Sequence, residues 1–303
     1  MIDFVELHGR SAFSFLRAAS LPERLAERAG ELQMPAMALC DRNGVYGAPR
    51  FFSHAKEAGV RPIVGAELAM EDGTALPVLV QSLTGYQNLC RLLTRAQLRS
   101  EKGTATVGWD ELAYFTRGLV ALTGDETGPL VMALDKNPVP VLKKLLGIFG
   151  ETNLFIEVQR HCIRGEERIV RSLADLSKRF HLPLLASNAP LYATESERPV
   201  LDVFTCIRYH THLDAAGKLL SPNNERHLKS GAQMRALFAD MPEAIANTVR
   251  LAERLEFTLD HLAYEFPAYP VPPEETMDSF LRQQAWAGAR ALRRNPGQGA
   301  DPA

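Results

Sequence analysis

Phe4-Val5-Glu6-Leu7-His8-Gly9-Arg10-Ser11-Ala12-Phe13-Ser14-Phe15-Leu16, read together with Ala38-Leu39-Cys40-Asp41-Arg42-Asn43-Gly44-Val45-Tyr46-Gly47, decides the fold. Each stretch is a short apolar run ending on a residue type that binds metals, His8 in one and Asp41 in the other, with an arginine close behind. Apolar runs this short, bounded by glycine and polar residues, are the mark of buried strands. Together they read as a metal-site barrel whose metal site has been partly rewritten.

Working outward, apolar β-rich runs alternate with helical periodicity, which predicts parallel β/α units. Strands are expected at Phe4 to His8, Ala36 to Cys40, Arg61 to Glu67, Leu76 to Val80, Gly118 to Leu122, Leu154 to Val158 and Leu182 to Ala186. The first helix opens at Ser20-Leu21-Pro22-Glu23, where Ser20 and Glu23 have capping-box spacing and Pro22 sits in the first turn. Further helices are expected at Pro49 to Ala58 (stopped by Gly59), Gly85 to Leu98, Pro140 to Phe149 and Arg164 to Phe180. From about Pro199 the pattern turns helical: Pro199 to Arg208, Ser230 to Phe238, Pro242 to Leu255 and Glu275 to Arg293. Phe266 to Pro273 is a proline-dense extended linker, and the Gly/Pro-rich tail Asn295 to Ala303 is expected to be disordered. Seven strands, most returning through a helix, suit a barrel better than an open sheet.

With 303 residues, 46% of them hydrophobic, the chain can bury a full core. Its net charge of -2 carries no whole-chain footprint for nucleic acid, so any DNA contact rests on local patches. Cys40, Cys90, Cys162 and Cys206 form no CxxC pair, no signal segment opens the chain, and no apolar run approaches the roughly 20 residues of a membrane span. A soluble cytoplasmic protein with free thiols and no membrane partner is expected.

In a β/α barrel, chemistry gathers at the C-terminal ends of the strands. Four expected strands run into His8, Asp41, Glu67 and His161, and a fifth into Asn188. Imidazoles and carboxylates at one mouth are what zinc, manganese or iron clusters use to activate water. Arg91, Arg95, Arg99 and Lys102 share a helix face, read as a solvated stripe before a DNA contact. His210 and His212 imitate a metal pair but follow the barrel and read as loop residues, and Gly44 and Gly47 read as turn glycines.

The segments Glu6 to Ser11, Leu39 to Gly44 and Gly59 to Glu67 closely resemble the polymerase-and-histidinol-phosphatase (PHP) domain, and more narrowly the N-terminus of bacterial DNA polymerase III alpha subunits. Gly85 to Leu89, Glu157 to His161 and Ala186 to Asn188 continue the likeness in order. His8 to Ser11, Arg42 to Phe51, Asp202 to Arg208 and Glu225 to Lys229 resemble the error-prone branch, which serves damage-induced mutagenesis. Tyr264 to Pro267, Pro272-Pro273 and Trp286 to Ala289 resemble the passage toward the polymerase proper.

The resemblance implies an α/β fold, a distorted (β/α)7 barrel over residues 1–198. A helical extension over 199–265 would pack on it, and residues 266–303 would hold the linker, the start of the polymerase region and the tail. Polymerisation in such proteins uses a later palm domain whose aspartates bind two magnesium ions; nothing after Pro296 supplies one, so no polymerase activity is expected of this chain.

The family's His-x-His, Asp-His and late Asp-x-His motifs are broken here at Arg10, Arg42, Ala189 and Leu191. A guanidinium stays protonated and has no lone pair to offer a cation. Buried Asp41 and Glu67 nevertheless need positive charge, which Arg10 and Arg42 are expected to supply, leaving a salt-bridge cluster of His8, Arg10, Asp41, Arg42, Glu67, His161 and Asn188. On this reading the domain is a noncatalytic scaffold with no cofactor. Its partners would be a polymerase body or other replication and mutagenesis proteins, with DNA contacted only indirectly or weakly. Two alternatives stay open: a phosphoesterase or 3'-5' exonuclease with zinc or manganese on His8, Asp41, Glu67 and His161, and a remnant of a fragmented polymerase gene.

Overall fold

Seven strands, β1 (Glu6–Gly9), β2 (Ala36–Arg42), β3 (Arg61–Ala69), β4 (Ala75–Val80), β5 (Leu119–Leu122), β6 (Leu154–Val158) and β7 (Leu184–Ala186), form one sheet in sequential order. The computed structural model describes residues 4–262 and 269–294, the side chains of 292–294 excepted. Between and after the strands lie α1 (Pro22–Glu31), α2 (Ala48–Glu57), α3 (Leu83–Leu98), α4 (Trp109–Leu112), α5 (Pro129–Met132), α6 (Pro138–Phe149), α7 (Glu166–Phe180), α8 (Arg198–Arg208), α9 (Leu213–Ala216), α10 (Gly231–Leu237), α11 (Pro242–Arg254) and α12 (Met277–Arg294). The sheet curls into the distorted (β/α)7 barrel, with β1–β2, β2–β3, β5–β6 and β6–β7 parallel.

The expected parallel pattern is interrupted at β4, which is antiparallel to both β3 and β5. The cause is local. Asp72-Gly73 closes a hairpin in which Met70 and Thr74 pair, Gly73 takes φ +84°, and the Asp72 carboxylate accepts the Thr74 N–H at 3.1 Å. The expected capping box at Ser20 also fails. The cap position of α1 is Leu21, Ser20 accepts the Ala193 N–H at 2.7 Å and donates to Glu197, and Glu23 pairs with Arg50. Pro22 does open the helix, and a complete capping box appears at Ser230 and Gln233 of α10.

Alternate strand residues feed two cores, as the two-residue period of a strand requires. Met37, Leu39, Val64, Ala66 and Leu68 meet the inner faces of the surrounding helices, including Leu25, Phe51, Leu89, Leu142 and Leu173. Leu7, Ala38, Cys40, Ile63, Val120, Leu122, Phe155 and Leu185 fill the barrel, joined by Leu251 and Ala252 of α11 and by Leu255 just after it. α11 therefore plugs the end where the strands begin. Thr248 accepts the Val5 N–H at 3.1 Å, and Arg61, the first residue of β3, donates to the carbonyls of Ala252 and Leu255 at 2.6 and 2.9 Å. Gly85 is required where α3 presses on the turn before β5, since a Cβ there would lie 1.9 Å from the Gly118 carbonyl oxygen.

Among the described residues no β7–β1 ladder is formed; the seam is bridged by the Asn188 N–H donating to Glu6 Oε2 at 2.9 Å and the Arg10 N–H to the Pro190 carbonyl at 3.2 Å. Residues 1–261 form one compact unit, which includes α8 to α11, and Leu262–Ala303 a second. In the second, α12 exposes Leu281 and Trp286. The expected linker lies partly, and the expected disordered tail wholly, outside the described residues. The four cysteines are free, and no described helix is long and apolar enough to cross a membrane.

Candidate functional site at the barrel mouth

With one end plugged by α11, the polar residues that close the strands gather at the other. His8 is fully buried, its Nδ1 2.8 Å from Glu157 Oε1 and its Nε2 3.5 Å from Glu67 Oε2. Arg10, two residues on, forks between two carboxylates: Nη1 donates to Glu67 Oε2 at 2.9 Å and Nη2 to Asp125 Oδ2 at 2.8 Å. Arg42 Nη1 takes the other oxygen of Glu67 at 2.7 Å. Arg226 continues the chain, with Nη1 3.7 Å from Asp125 Oδ2 and Nη2 on Glu126.

Protonation follows from these contacts. Burial pushes the Glu67 carboxyl up, but Arg10 and His8 outweigh it and hold it down at about 2. Asp125 is likewise held far below the carboxylate range by Arg10 and Arg226 against its burial, and Glu157 is held low by His8 against its own. Burial alone would discharge His8, yet the Glu157 and Glu67 carboxylates lift it to about 10. At neutral pH the mouth is an alternating chain of charges, Glu157, His8, Glu67, Arg10, Asp125 and Arg226.

Asp41 departs from expectation, since neither Arg10 nor Arg42 pairs with it. Its carboxylate accepts the Ser11 N–H, the Ser11 hydroxyl and the Ser14 hydroxyl, each at 2.7 Å, while burial pushes it up against those bonds. Gly47 permits the close packing, because a Cβ there would stand 2.7 Å from Asp41 Oδ2. Arg42 points past its neighbour to Glu67, and its own N–H donates to Ser14 Oγ at 3.0 Å.

His161 and Asn188 also stand apart from the His8–Glu67–Arg10 cluster. Burial and then the Arg226 charge depress His161 to about 3, so it is neutral and its Nε2–H donates to the Asn188 carbonyl at 2.9 Å. The Asn188 amide donates to the carbonyls of Glu225 and His227 at 2.9 and 2.6 Å. The backbone also serves Arg10: the Ala189 carbonyl accepts from Nη2 at 3.4 Å, and Ala189 itself takes φ +43°.

Comparison with known families matches the PHP domain over residues 6–161. This chain belongs to the PHP domain family. Among curated relatives, the error-prone DNA polymerase of Mycolicibacterium paratuberculosis is 36% identical over 305 residues, covering 95% of this chain and 28% of the relative. That of Bradyrhizobium diazoefficiens is 35% identical over 297 residues, covering 94% of this chain and 25% of the relative. The chain thus spans about a quarter of the length of these relatives. Among solved structures, a lesion-specific endonuclease from Pyrococcus furiosus aligns over 63% of this chain and 49% of its own with 14% identity and a TM-score of 0.42.

Four mouth residues of this PHP domain escape the sequence reading: Glu6, Asp125, Glu157 and Arg226. Glu6 accepts the N–H groups of His8 and Asn188, both at 2.9 Å, and burial pushes it up to about 7. Asp125 follows β5 in a turn that its Oδ1 shapes by accepting the N–H and hydroxyl of Thr127 at 2.9 and 2.8 Å. A carboxylate placed at a strand end was the available signal for Asp125 and Glu157. Of the arginine stripe, Arg95 stacks on Phe115 at 5.1 Å and Arg99 pairs with Glu111 at 2.6 Å, so half of it serves local packing. His210 and His212 are exposed after α8, and Gly44 makes room for the Tyr46 ring.

Proposed function

We propose that this PHP domain is the N-terminal part of an error-prone DNA polymerase III alpha-type protein of DNA replication and damage-induced translesion synthesis. Within it, the domain is a noncatalytic structural and interaction module whose mouth is held by guanidinium groups instead of a metal. Its partners are the polymerase body and other mutagenesis proteins. The likeness to error-prone polymerases over nearly the whole chain supports the setting. The observation that carries the noncatalytic reading is Arg10 bridging Glu67 and Asp125 while Arg42 takes the remaining Glu67 oxygen.

The donor set does not fit a metal. Both Glu67 oxygens are engaged by guanidinium groups, His8 carries a proton at neutral pH, and Asp41 already accepts three hydrogen bonds from Ser11 and Ser14. Among the described residues no group of three or more His, Cys, Asp or Glu is disposed to hold a metal ion. The positive charges of Arg10 and Arg42 would also repel a cation placed beside Glu67. No hydrolytic step is therefore routed through this mouth.

The test is hydrolysis of an end-labelled oligonucleotide in the presence of manganese or zinc by the wild type and by an Arg10→His/Arg42→His variant. The wild type is expected to release no nucleotide above the metal-only control. Metal-stimulated release by the wild type that His8→Ala abolishes would overturn the noncatalytic reading and install the phosphoesterase in its place.

A further inference from the structure

On α8 the solvent side is apolar. Val200, Val203 and Ile207 are 44%, 43% and 52% exposed, and their spacing of three and then four residues sets them in one stripe along the helix. α1, by contrast, turns Glu27 and Glu31 to solvent. The one acidic residue of α8, Asp202, lies 3.5 Å from Arg198 of the same helix, so the stripe itself carries no negative charge. Where α8 ends, Arg208 stacks on the exposed Tyr209 ring at 4.4 Å and makes no ion pair among the described residues. The loop after β1 runs to the same corner. It is pinned at both ends, the Ala12 N–H donating to the Ser20 carbonyl and the Ala19 N–H to the Leu191 carbonyl, both at 2.7 Å. Between the pins Phe15 is 79% exposed, and the Arg17 side chain has neither an ion pair nor a hydrogen bond among the described residues. Partial burial and then the charges of Arg42 and Arg208 push the Arg17 guanidinium down to about 10, so at neutral pH it stays charged beside two charges of its own sign. The acid it feels, Glu67, is already taken by Arg10 and Arg42.

We propose that the α8 stripe, with Arg17 and Arg208 at its end, is a docking surface for an acidic amphipathic helix of a protein partner. The aliphatic face of that helix lies on Val200, Val203 and Ile207, and its carboxylates meet Arg17 and Arg208. Charge complementarity decides the occupant. Arg17, Arg42 and Arg208 share one corner whose only acid is already bound, and an incoming carboxylate relieves their repulsion. An acidic tail without apolar residues would leave the stripe in water, and an apolar helix without acids would leave Arg17 unpaired. A helix with both faces answers both. A single strand of nucleic acid is disfavoured, because bases stack on aromatic rings and this stripe is aliphatic. Since the loop is pinned, the surface is formed before the partner arrives. The inference rests on the reading of the domain as an interaction module and adds to it the surface and the chemistry of the partner.

The test is an anisotropy titration of the purified chain into a fluorescein-labelled helical peptide of about 18 residues, with leucines on one face at i, i+3, i+4 and i+7 and glutamates beside them. A scrambled peptide of the same composition, a peptide with lysine in place of glutamate and a labelled single-stranded oligonucleotide are titrated in parallel. Saturable binding of the acidic helix, with a dissociation constant on the order of 10–100 μM for so small a surface, is expected, and weaker binding of the other three. Arg17→Glu and Ile207→Glu are each expected to weaken it about tenfold, whereas Arg91→Glu, the same charge change on the exposed side of α3, leaves it unchanged. All three substituted residues are exposed, so an unchanged melting temperature separates lost docking from lost fold. Absence of saturable binding overturns the proposal. So do equal binding of the scrambled peptide, the lysine peptide or the oligonucleotide, indifference to Arg17→Glu or Ile207→Glu, and equal weakening by Arg91→Glu. Hydrolysis at the mouth is read in its own assay: metal-stimulated release by the wild type overturns the noncatalytic reading with docking intact, and lost docking leaves that reading standing.

Discussion

At the end of the barrel where the strands begin, Arg61 donates to two carbonyls of the α11 terminus, and the plug beneath it is aliphatic: Leu251, Ala252 and Leu255 against Val5, Ala36 and Ile63. At the end where they finish, Arg10 donates to two carboxylates, and its neighbours are the charged groups His8, Glu67, Asp125 and Glu157. The first end is held by burial, which is nondirectional and roughly proportional to the apolar area removed from water. The second is held by alternating charges, each of which depends on its neighbour. Removing one buried partner strands another without compensation, whereas trimming a plug side chain costs only its lost apolar burial and the cavity it leaves.

The sharpest way to break this contrast is Arg10→Met. It leaves Glu67 and Asp125 short of a cation and is expected to cost about 3–5 kcal/mol in urea unfolding. Adding Asp125→Asn to the same chain should recover part of that loss, because Glu67 keeps Arg42 and Arg226 keeps Glu126. If Arg10→Met costs no more than a surface substitution, the charge chain does not hold the mouth. At the plug, Leu251→Ala, from a fully buried position, is expected to cost about 2–4 kcal/mol.

The two ends also differ in their response to pH. The stability that Glu67 contributes is present above its ordinary value of 4.5 and is lost as pH falls through about 2. The His8 contribution is complete below its ordinary 6.5 and is lost as pH rises through about 10. Unfolding free energies measured across pH should therefore run parallel for the wild type and Leu251→Ala, while Arg10→Met flattens the acid limb. The smallest effect is expected from Ser14→Ala, which removes one of three hydrogen bonds to Asp41 and should cost about 1 kcal/mol by thermal denaturation.

The contrast also explains what was legible in the sequence. Short continuous apolar runs locate every strand and the 3.6-residue period the long helices, because burial against a core repeats along the chain. The reversed β4 turned on a single dipeptide, Asp72-Gly73, between two apolar runs, and Ser20 lost its cap role to Glu197, a residue 177 positions away. At the mouth, residue types at strand ends found His8 and Glu67, and the family's altered motifs pointed to Arg10 and Arg42. Their partners were out of reach, since Arg10 meets Asp125 across 115 positions and His8 meets Glu157 across 149. For Asp41 the nearest arginines looked decisive, yet Ser11 and Ser14 on the adjoining loop were closer in space and had hydroxyls to give. Partner choice is set by where the closed barrel brings strand ends together, and no local pattern encodes it.

The central claim, that guanidinium groups stand where this family holds metal, is tested most directly by elemental analysis. The purified chain would be exposed to zinc and manganese and then desalted, beside an Arg10→His/Arg42→His variant. The account predicts no stoichiometric metal in the wild type and uptake by the variant. Stoichiometric zinc or manganese retained by the wild type would contradict it.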